Sequence, residues 1–314
     1  MRVLVTGASG WIGSAVVPGL IGAGHRVVGL ARSDASADAL TAAGAEVLRG
    51  TLDDLDTVRG GAAASDGVIH LAFKHDVAFS GDFQGAADTD RRVVEALGET
   101  LADSGRPLVI ASGTGLPWLE SGRLLTERDG HGPGLPDAAA ANSGPATRAA
   151  TAELALSYAS RGVRASVVRL PPTNYGEGDP GFLSVLVAIA RDKGVSGHIG
   201  DGANRWPAVH RLDSAHLFRL AVEKAPAGST LHAVADEGVP LREIAGVIGR
   251  HLDLPVVSVP PEDAGAHFGW LAAYVANDVP ASSTLTRELT GWRPTRPGLL
   301  EDLGKGHYFT APPA

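Results

Sequence analysis

Apolar residues in the first 170 positions fall in short unbroken runs separated by stretches of helical periodicity. The runs are RVLVTG, HRVVGLA, AEVLRG, DGVIHLAF and PLVIASG. They are rich in Val, Ile and Leu and do not alternate strictly with polar residues. That pattern suits strands buried on both faces of a parallel sheet. Between them the spacing predicts helices over 11–23, about 34–43 and 84–103. A further helix is expected over about 146–161, ended by Gly162, with the strand RASVVRL after it. Strands and helices follow one another at the spacing of repeated βαβ units. The chain therefore reads as an α/β protein on a doubly wound parallel sheet.

The pattern changes after Leu170. PPTNYGEGDPG is a turn-rich loop, FLSVLVAIARDKG is helical, and STLHAVADEG offers one more strand for the main sheet. The stretch from 236 to 314 is helical in character and punctuated by proline. Residues 1–170 and 206–235 are expected to form the sheet domain. Residues 171–205 and 236–314 are expected to form a smaller, mostly helical lobe over the C-terminal edge of the sheet, where open α/β sheets bind ligands. The Ala-rich piece LPDAAAANSGPAT is expected to be a surface loop.

Composition narrows the function classes. The chain has 314 residues and is 44% apolar, enough for a sizeable core. No apolar run reaches the roughly 18 residues of a membrane span, so no membrane association is expected. MRVLVTG runs straight into a strand and lacks the features of a secretory signal. The absence of cysteine excludes disulfides, thiolate metal sites and a cysteine nucleophile. The histidines show no metal-ligand spacing, so no metal is expected. The formal charge is −8 and Lys and Arg form no run, so nucleic acid is not expected as a partner.

The segment VLVTGASGWIG supplies the first chemistry. It is a strand, a turn with Gly7, Gly10 and Gly13, and a helix start. Gly7 allows the tight turn, Gly10 lets the backbone approach a pyrophosphate, and Gly13 lets the helix pack closely. The turn residues Ser9, Trp11 and Ile12 would border a pyrophosphate held at a helix N-terminus. This predicts a dinucleotide-binding Rossmann domain. The second strand ends in GLARSD. Ala31 stands where an NAD-binding acid is expected, and Arg32 and Ser33 follow. A guanidinium and a hydroxyl would bind a 2′-phosphate that a carboxylate would repel, so the expected cofactor is NADP(H). Asp34 is expected to cap the next helix. Thr51 and Leu52, after the third strand, are expected beside the adenine. With no signal and this cofactor, the expected location is cytoplasmic.

Together TGASGWIG, VIHLAF, VIASGTG, VVRLPPTNYGEGD and AVHRLDSAHLFRLA resemble the extended and atypical short-chain dehydrogenase/reductases, the superfamily of NAD(P)-dependent sugar epimerases and dihydroflavonol reductases. The resemblance spans most of the chain. It implies that Leu71, Ala72, Phe73 and Pro171 contact the cofactor. It also implies that a Ser or Thr after the fifth strand holds the substrate carbonyl. Ser112 and Thr114 are the candidates, and spacing favours Thr114. Family members add a Tyr-x-x-x-Lys pair, but no tyrosine here has lysine four residues on. Counting back from AELALSYASRG puts Pro145 at the tyrosine position and Ala149 at the lysine position. Arg148 is adjacent and is expected as a ribose or phosphate ligand. Lys74 and His75 follow VIHLAF, and Lys74 is a candidate ribose ligand or proton donor. Tyr158 is expected to be structural and Tyr175 to pack near the pocket mouth. His210 is expected to fix the junction of the lobes, and Trp206 and Trp270 to serve as core or cleft rim.

A hydride can be delivered without that tyrosine if the substrate brings its own acid. A hydroxyl beside the ketone could stabilise the developing negative charge and supply the proton. The expected activity is NADPH-dependent reduction of a ring ketone on a bulky, polycyclic aromatic small molecule. An antibiotic-pathway ketone of the angucyclinone type is one such substrate. The alternatives are a catalytically silent NADP-binding redox sensor and a non-redox isomerase or lyase on the same fold.

Overall fold

The computed structural model of the chain describes residues 1–114, 121–130 and 144–310. Its strands in chain order are β1 Arg2–Thr6, β2 Arg26–Ala31, β3 Glu46–Arg49, β4 Gly67–His70, β5 Pro107–Gly113 and β6 Arg164–Leu170. They continue with β7 Thr173–Tyr175, β8 Ser196–Ile199, β9 Arg205–His210, β10 Ser229–His232, β11 Asp236–Pro240 and β12 Val256–Val259. The main helices are α1 Gly13–Gly22, α2 Asp34–Ala42, α3 Leu55–Ala63, α4 His75–Phe79, α5 Phe83–Leu101, α6 Gly144–Ser157, α7 Phe182–Lys193, α8 Arg211–Lys224 and α9 Leu241–Leu252.

Seven parallel strands form the main sheet in the order β10-β6-β5-β4-β1-β2-β3. This is the doubly wound Rossmann arrangement that the apolar runs predict. One face of the sheet is covered by α1, α2 and α8, through Val16, Leu20, Leu40, Phe218 and Val222. The other is covered by α3, α5 and α6, through Val58, Val93, Leu97, Ala152 and Ala155. Each fully buried Val, Leu or Phe in these layers contributes about 1.5–3 kcal/mol of transfer free energy. Among the described residues, no helix is long and apolar enough to cross a membrane.

Several local expectations need correction. Helix α3 was not foreseen, because LDTVRGGAA is short and carries two glycines. The turn-rich stretch after Leu170 contains strand β7. The expected domain boundary at 206 falls inside β9, which leaves the main sheet and pairs with β7 and β11. The smaller lobe thus has two small sheets among its helices, the second formed by β8 and β12. Ser33, not Asp34, caps α2: its hydroxyl accepts the Ser36 N–H at 3.2 Å. The expected Ala-rich loop is overtaken by α6 from Gly144 onward, and its residues 135–143 lie outside the described residues.

The lobe is closed by long-range polar contacts. The Asp213 carboxylate accepts the N–H groups of Thr295 and Arg296, each at 3.0 Å. Tyr308 donates to Asp179 Oδ2 at 3.0 Å and accepts the Gly176 N–H at 3.1 Å. Burial pushes the Asp179 carboxyl up to about 6, against the opposing pull of the hydrogen bonds from Gly181 N–H and Tyr308. The folded chain therefore holds this proton more tightly than the unfolded chain. The stabilisation is complete below the unfolded value near 3.8 and is lost as pH rises through about 6. Asp179→Asn is expected to remove roughly 1–3 kcal/mol of the pH dependence over that window. Urea unfolding at pH 4.5 and 7.5 measures it, and an identical pH dependence in both proteins would refute the assignment.

Candidate active site

The C-terminal ends of the sheet strands place the candidate residues along one edge. Gly7 follows β1 with φ +65°, and a Cβ there would stand 2.7 Å from the Ala72 backbone nitrogen. A Cβ on Gly13 would stand 2.1 Å from the Gly7 carbonyl oxygen. Only glycine fits at either position, so the turn is a cradle that any side chain would fill. No side chain caps α1 at its N-terminus. Its first N–H groups and helix dipole favour an anion there. These features fit a dinucleotide pyrophosphate beside Ser9, Gly10, Trp11 and Ile12.

Trp11 reaches sideways from this turn. Its indole N–H donates to the Asn174 carbonyl at 2.8 Å, and the Arg211 guanidinium lies 4.2 Å over its ring. Arg32 and Ser33 follow β2 at the expected 2′-phosphate position, and each already has a protein partner. Ser33 caps α2, while Arg32 Nη1 donates to Asp76 on α4 at 3.0 Å. A second guanidinium stands there that sequence reasoning missed. Arg49 at the end of β3 donates to the Ser33 carbonyl at 2.6 Å and pairs with Asp34. Thr51 accepts the Asp53 N–H at 3.2 Å. Leu52 is buried and packs into the α3–α5 layer.

Beyond β4, Leu71 N–H donates to the Thr6 carbonyl at 3.2 Å, and Ala72 N–H donates to the Thr6 hydroxyl at 3.3 Å. The Phe73 ring lies under the Arg148 guanidinium at 4.2 Å. Lys74 donates to both carboxylate oxygens of Asp53, at 2.7 and 2.8 Å. That pairing draws its ammonium toward the β3 end of the edge. His75 packs between Phe73 and Phe79, with ring centroids at 5.0 and 5.8 Å. Burial, reinforced by the Arg148 charge, pushes His75 below its ordinary value. It is therefore a neutral imidazole at pH 7.

Thr114 follows β5. Its N–H donates to the Leu170 carbonyl at 3.0 Å, while its hydroxyl is fully buried and has no hydrogen-bond partner among the described residues. Ser112 is also buried, paired in register with Arg169. Pro171, buried at the end of β6, accepts a hydrogen bond from the Asn174 side chain at 3.2 Å.

Arg148 lies at the centre of a network that sequence reasoning missed. Its Nη1 donates to Asp90 Oδ2 at 2.8 Å, and its Nη2 donates to the Ala111 carbonyl at 3.2 Å. His70 Nε2 meets Asp90 Oδ1 at 3.0 Å, and His70 Nδ1 meets the Thr6 hydroxyl at 2.6 Å. Burial would raise the Asp90 carboxyl, but Arg148 and the His70 hydrogen bond outweigh it and hold the group below the ordinary carboxylate value. One signal was available. Asp90 interrupts the apolar stripe Ala86, Ala87, Val93, Val94, Leu97 of α5 at core spacing.

Three of the four tyrosines have their hydroxyls engaged by protein groups. Tyr158 donates to the Glu95 carbonyl at 3.3 Å and to Glu99 at 3.2 Å, and burial with the Glu99 charge pushes it up to about 12. Tyr175 sits in the lobe core and donates to the Pro297 carbonyl at 2.7 Å. Tyr308 is held by Asp179. Tyr274 lies on the lobe rim in an aromatic group with Phe182 and Trp270, at 5.0 and 6.0 Å. Trp270 also meets Phe79 of α4 at 5.5 Å, which joins the sheet domain to the lobe, and both rings are exposed. Trp206 is lobe core. His210 caps α8 by accepting the Leu212 N–H at 3.2 Å.

Comparison with known proteins agrees with the fold. An uncharacterized protein of Schizosaccharomyces pombe is 48% identical over 309 residues, 98% of this chain and all of that one. A 4-hydroxy-2-methyl-3-oxo-4-farnesyl-3,4-dihydroquinoline-1-oxide ketoreductase of Stigmatella aurantiaca is 28% identical over 277 residues, 86% of this chain and 80% of the other. Among solved structures, the dTDP-glucose 4,6-dehydratase of Streptomyces venezuelae, with NAD bound, superposes with a TM-score of 0.74 at 21% identity. It covers 98% of this chain and 96% of its own. Residues 3–234 match the NAD dependent epimerase/dehydratase family, and the chain belongs to that family.

Proposed function

We propose that the chain is an NADPH-dependent ketoreductase for a bulky, ring-bearing ketone that carries a hydroxyl beside its carbonyl. The observation that carries the reading is the Thr114 hydroxyl, buried at the ligand edge of the sheet with no protein partner among the described residues. An orphaned buried hydroxyl is costly unless a ligand group completes it. A substrate carbonyl oxygen would do so. Gly7, Gly10, Gly13 and the start of α1 would hold the dinucleotide pyrophosphate. Arg32, with Arg49 nearby, would hold the 2′-phosphate. The Arg32–Asp76 and Arg49–Asp34 pairs are largely exposed and are worth little in water, so a phosphate dianion would displace them readily. The bound cofactor supplies hydride.

The protein's own part is to hold and shield the ketone. Thr114 donates a hydrogen bond to the carbonyl oxygen, but an alcohol is too weak an acid to give up the proton unaided. Tyr158, Tyr175 and Tyr308 have their hydroxyls engaged elsewhere. Phe73, Phe79, Phe83, Trp270 and Tyr274 offer flat apolar surface for a ring system. A phenolic substrate hydroxyl, about as acidic as the missing tyrosine, gives its proton to the developing alkoxide and regains one from water. The Stigmatella relative supports the ring-ketone part of this reading, since its substrate is named with a 3-oxo group on a quinoline ring. An angucyclinone-type polycyclic ketone of antibiotic biosynthesis, reduced in the cytoplasm, is the proposed example.

Arg32→Ala is expected to weaken NADPH binding by about 1.5–3 kcal/mol and to leave NADH binding nearly unchanged. Calorimetric titration reads both, and equal affinity of the native protein for the two dinucleotides would argue for another cofactor choice.

Tyr158→Phe and Tyr175→Phe are each expected to keep ketone turnover within about tenfold, or 1.4 kcal/mol. A loss on the order of 10²–10⁴ in either variant would reveal a tyrosine acid.

Thr114→Ala is expected to slow reduction modestly, whereas methylating the substrate hydroxyl should slow it on the order of 10²–10⁴. A binding measurement controls for steric clash. Normal binding and normal turnover of the methylated ketone would show that the protein supplies the proton, and Lys74 would be the first residue to replace.

A further inference from the structure

The buried chain under the turn has a direction. Asp90 is held as a carboxylate and can only accept, so His70 carries a proton on Nε2 and donates it to Asp90 Oδ1. A neutral His70 ring then accepts the Thr6 hydroxyl at Nδ1, and the Thr6 oxygen accepts the Ala72 N–H. The remaining Asp90 oxygen takes Arg148. His70 and Asp90 are almost completely buried, while the Arg148 side chain is 20% exposed. The chain therefore begins at the backbone contact of the dinucleotide turn and ends on a guanidinium at the ligand edge.

Stability does not explain such a pair. Desolvating two charges costs several kcal/mol, and well-packed apolar residues usually do as well or better. Arg148 is also held more rigidly than an ion pair requires. Asp90 fixes one nitrogen, the Ala111 carbonyl fixes the other, and the Phe73 ring fixes the plane. Among the described residues, these contacts use two of the five N–H donors. Arg148 lies one residue before the family's lysine position. A one-residue step turns a helix by about 100°, so an arginine there needs an external anchor to present its charge at a fixed place.

We propose that Asp90 is a positioning residue. Acting through Arg148, it fixes the cation that binds the nicotinamide-ribose half of the dinucleotide. This rests on the cofactor reading above. Thr6 and His70 set the side from which Asp90 is approached, and Asp90 sets the plane of the guanidinium.

The test compares two probes by calorimetry. NADP⁺ carries the nicotinamide ribose, and 2′,5′-ADP does not. Asp90→Asn is expected to weaken NADP⁺ binding on the order of ten- to a hundredfold, the range for a lost charged hydrogen bond. Binding of 2′,5′-ADP should stay within about twofold. Arg148→Met should change the ratio of the two affinities equally, and the double variant no further. The double variant leaves no unpaired buried charge, so it keeps the test available if Asp90→Asn folds poorly. A lowered Tm with an unchanged ratio in Asp90→Asn would overturn the proposal, and so would an unchanged ratio in Arg148→Met. A native chain that binds neither probe would overturn the cofactor reading and this proposal together.

Discussion

The site is organised around one close backbone approach. Where β1 turns into α1, the backbone of Gly7 lies against that of Ala72 beyond β4, with no room for a side chain between them. That approach brings the Ala72 N–H onto the Thr6 hydroxyl. It also leaves the Gly7 carbonyl against Gly13, so that α1 starts at the sheet edge with its N–H groups free of side-chain caps. The anion site and the hydrogen-bonded row of Thr6, His70 and Asp90 lie beside this contact. An added methyl group at Gly7 or Gly13 would disturb all of them together.

What the sequence revealed followed from how local the physics is. Strands β1, β2, β4, β5 and β6 were readable because each is a largely apolar run buried on both faces, and the half-buried edge strand β3 by its spacing after α2. The glycine turn was readable because its backbone geometry admits one residue type. The small sheets of the lobe were not readable. Their strands are three to six residues long, and several lie in turn-rich segments with no clear period. Asp90 stayed hidden because its partners are 20 and 58 residues away. Periodicity marks its position as core but cannot say that a carboxylate there has a cation to meet. The Lys74–Asp53 and Arg32–Asp76 pairs stayed hidden for the same reason. Sequence shows charges next to a cofactor motif, but not which of them are already matched by another charge.

The two parts of the molecule meet through aromatic side chains as well as through strands. Trp11 ties the dinucleotide turn to β7, and the guanidinium of Arg211 at the start of α8 lies over its ring. On the other side of the cleft, Phe79 and Trp270 join α4 to the lobe. Helix α4 also carries Asp76, the partner of Arg32. A ligand that takes Arg32 from Asp76 therefore acts on the helix whose last residue touches the lobe. The cofactor's phosphate end and the aromatic rim of the cleft are mechanically adjacent, even though the chain places them far apart.

The polar contacts that close the lobe bear on how the protein reaches its native state. Tyr175 waits for Pro297, 122 residues later, and Asp179 waits for Tyr308, 129 residues later. Contacts across such spans must recover a large loop-closure entropy before they stabilise anything, and they form after local helices and neighbouring strands. The βαβ half can acquire its sheet order while the loop after β7 still has a partly solvated carboxylate. The wall of the cleft on that side is thus a late acquisition, and the cleft takes its final shape only when the most distant partners in the lobe have met.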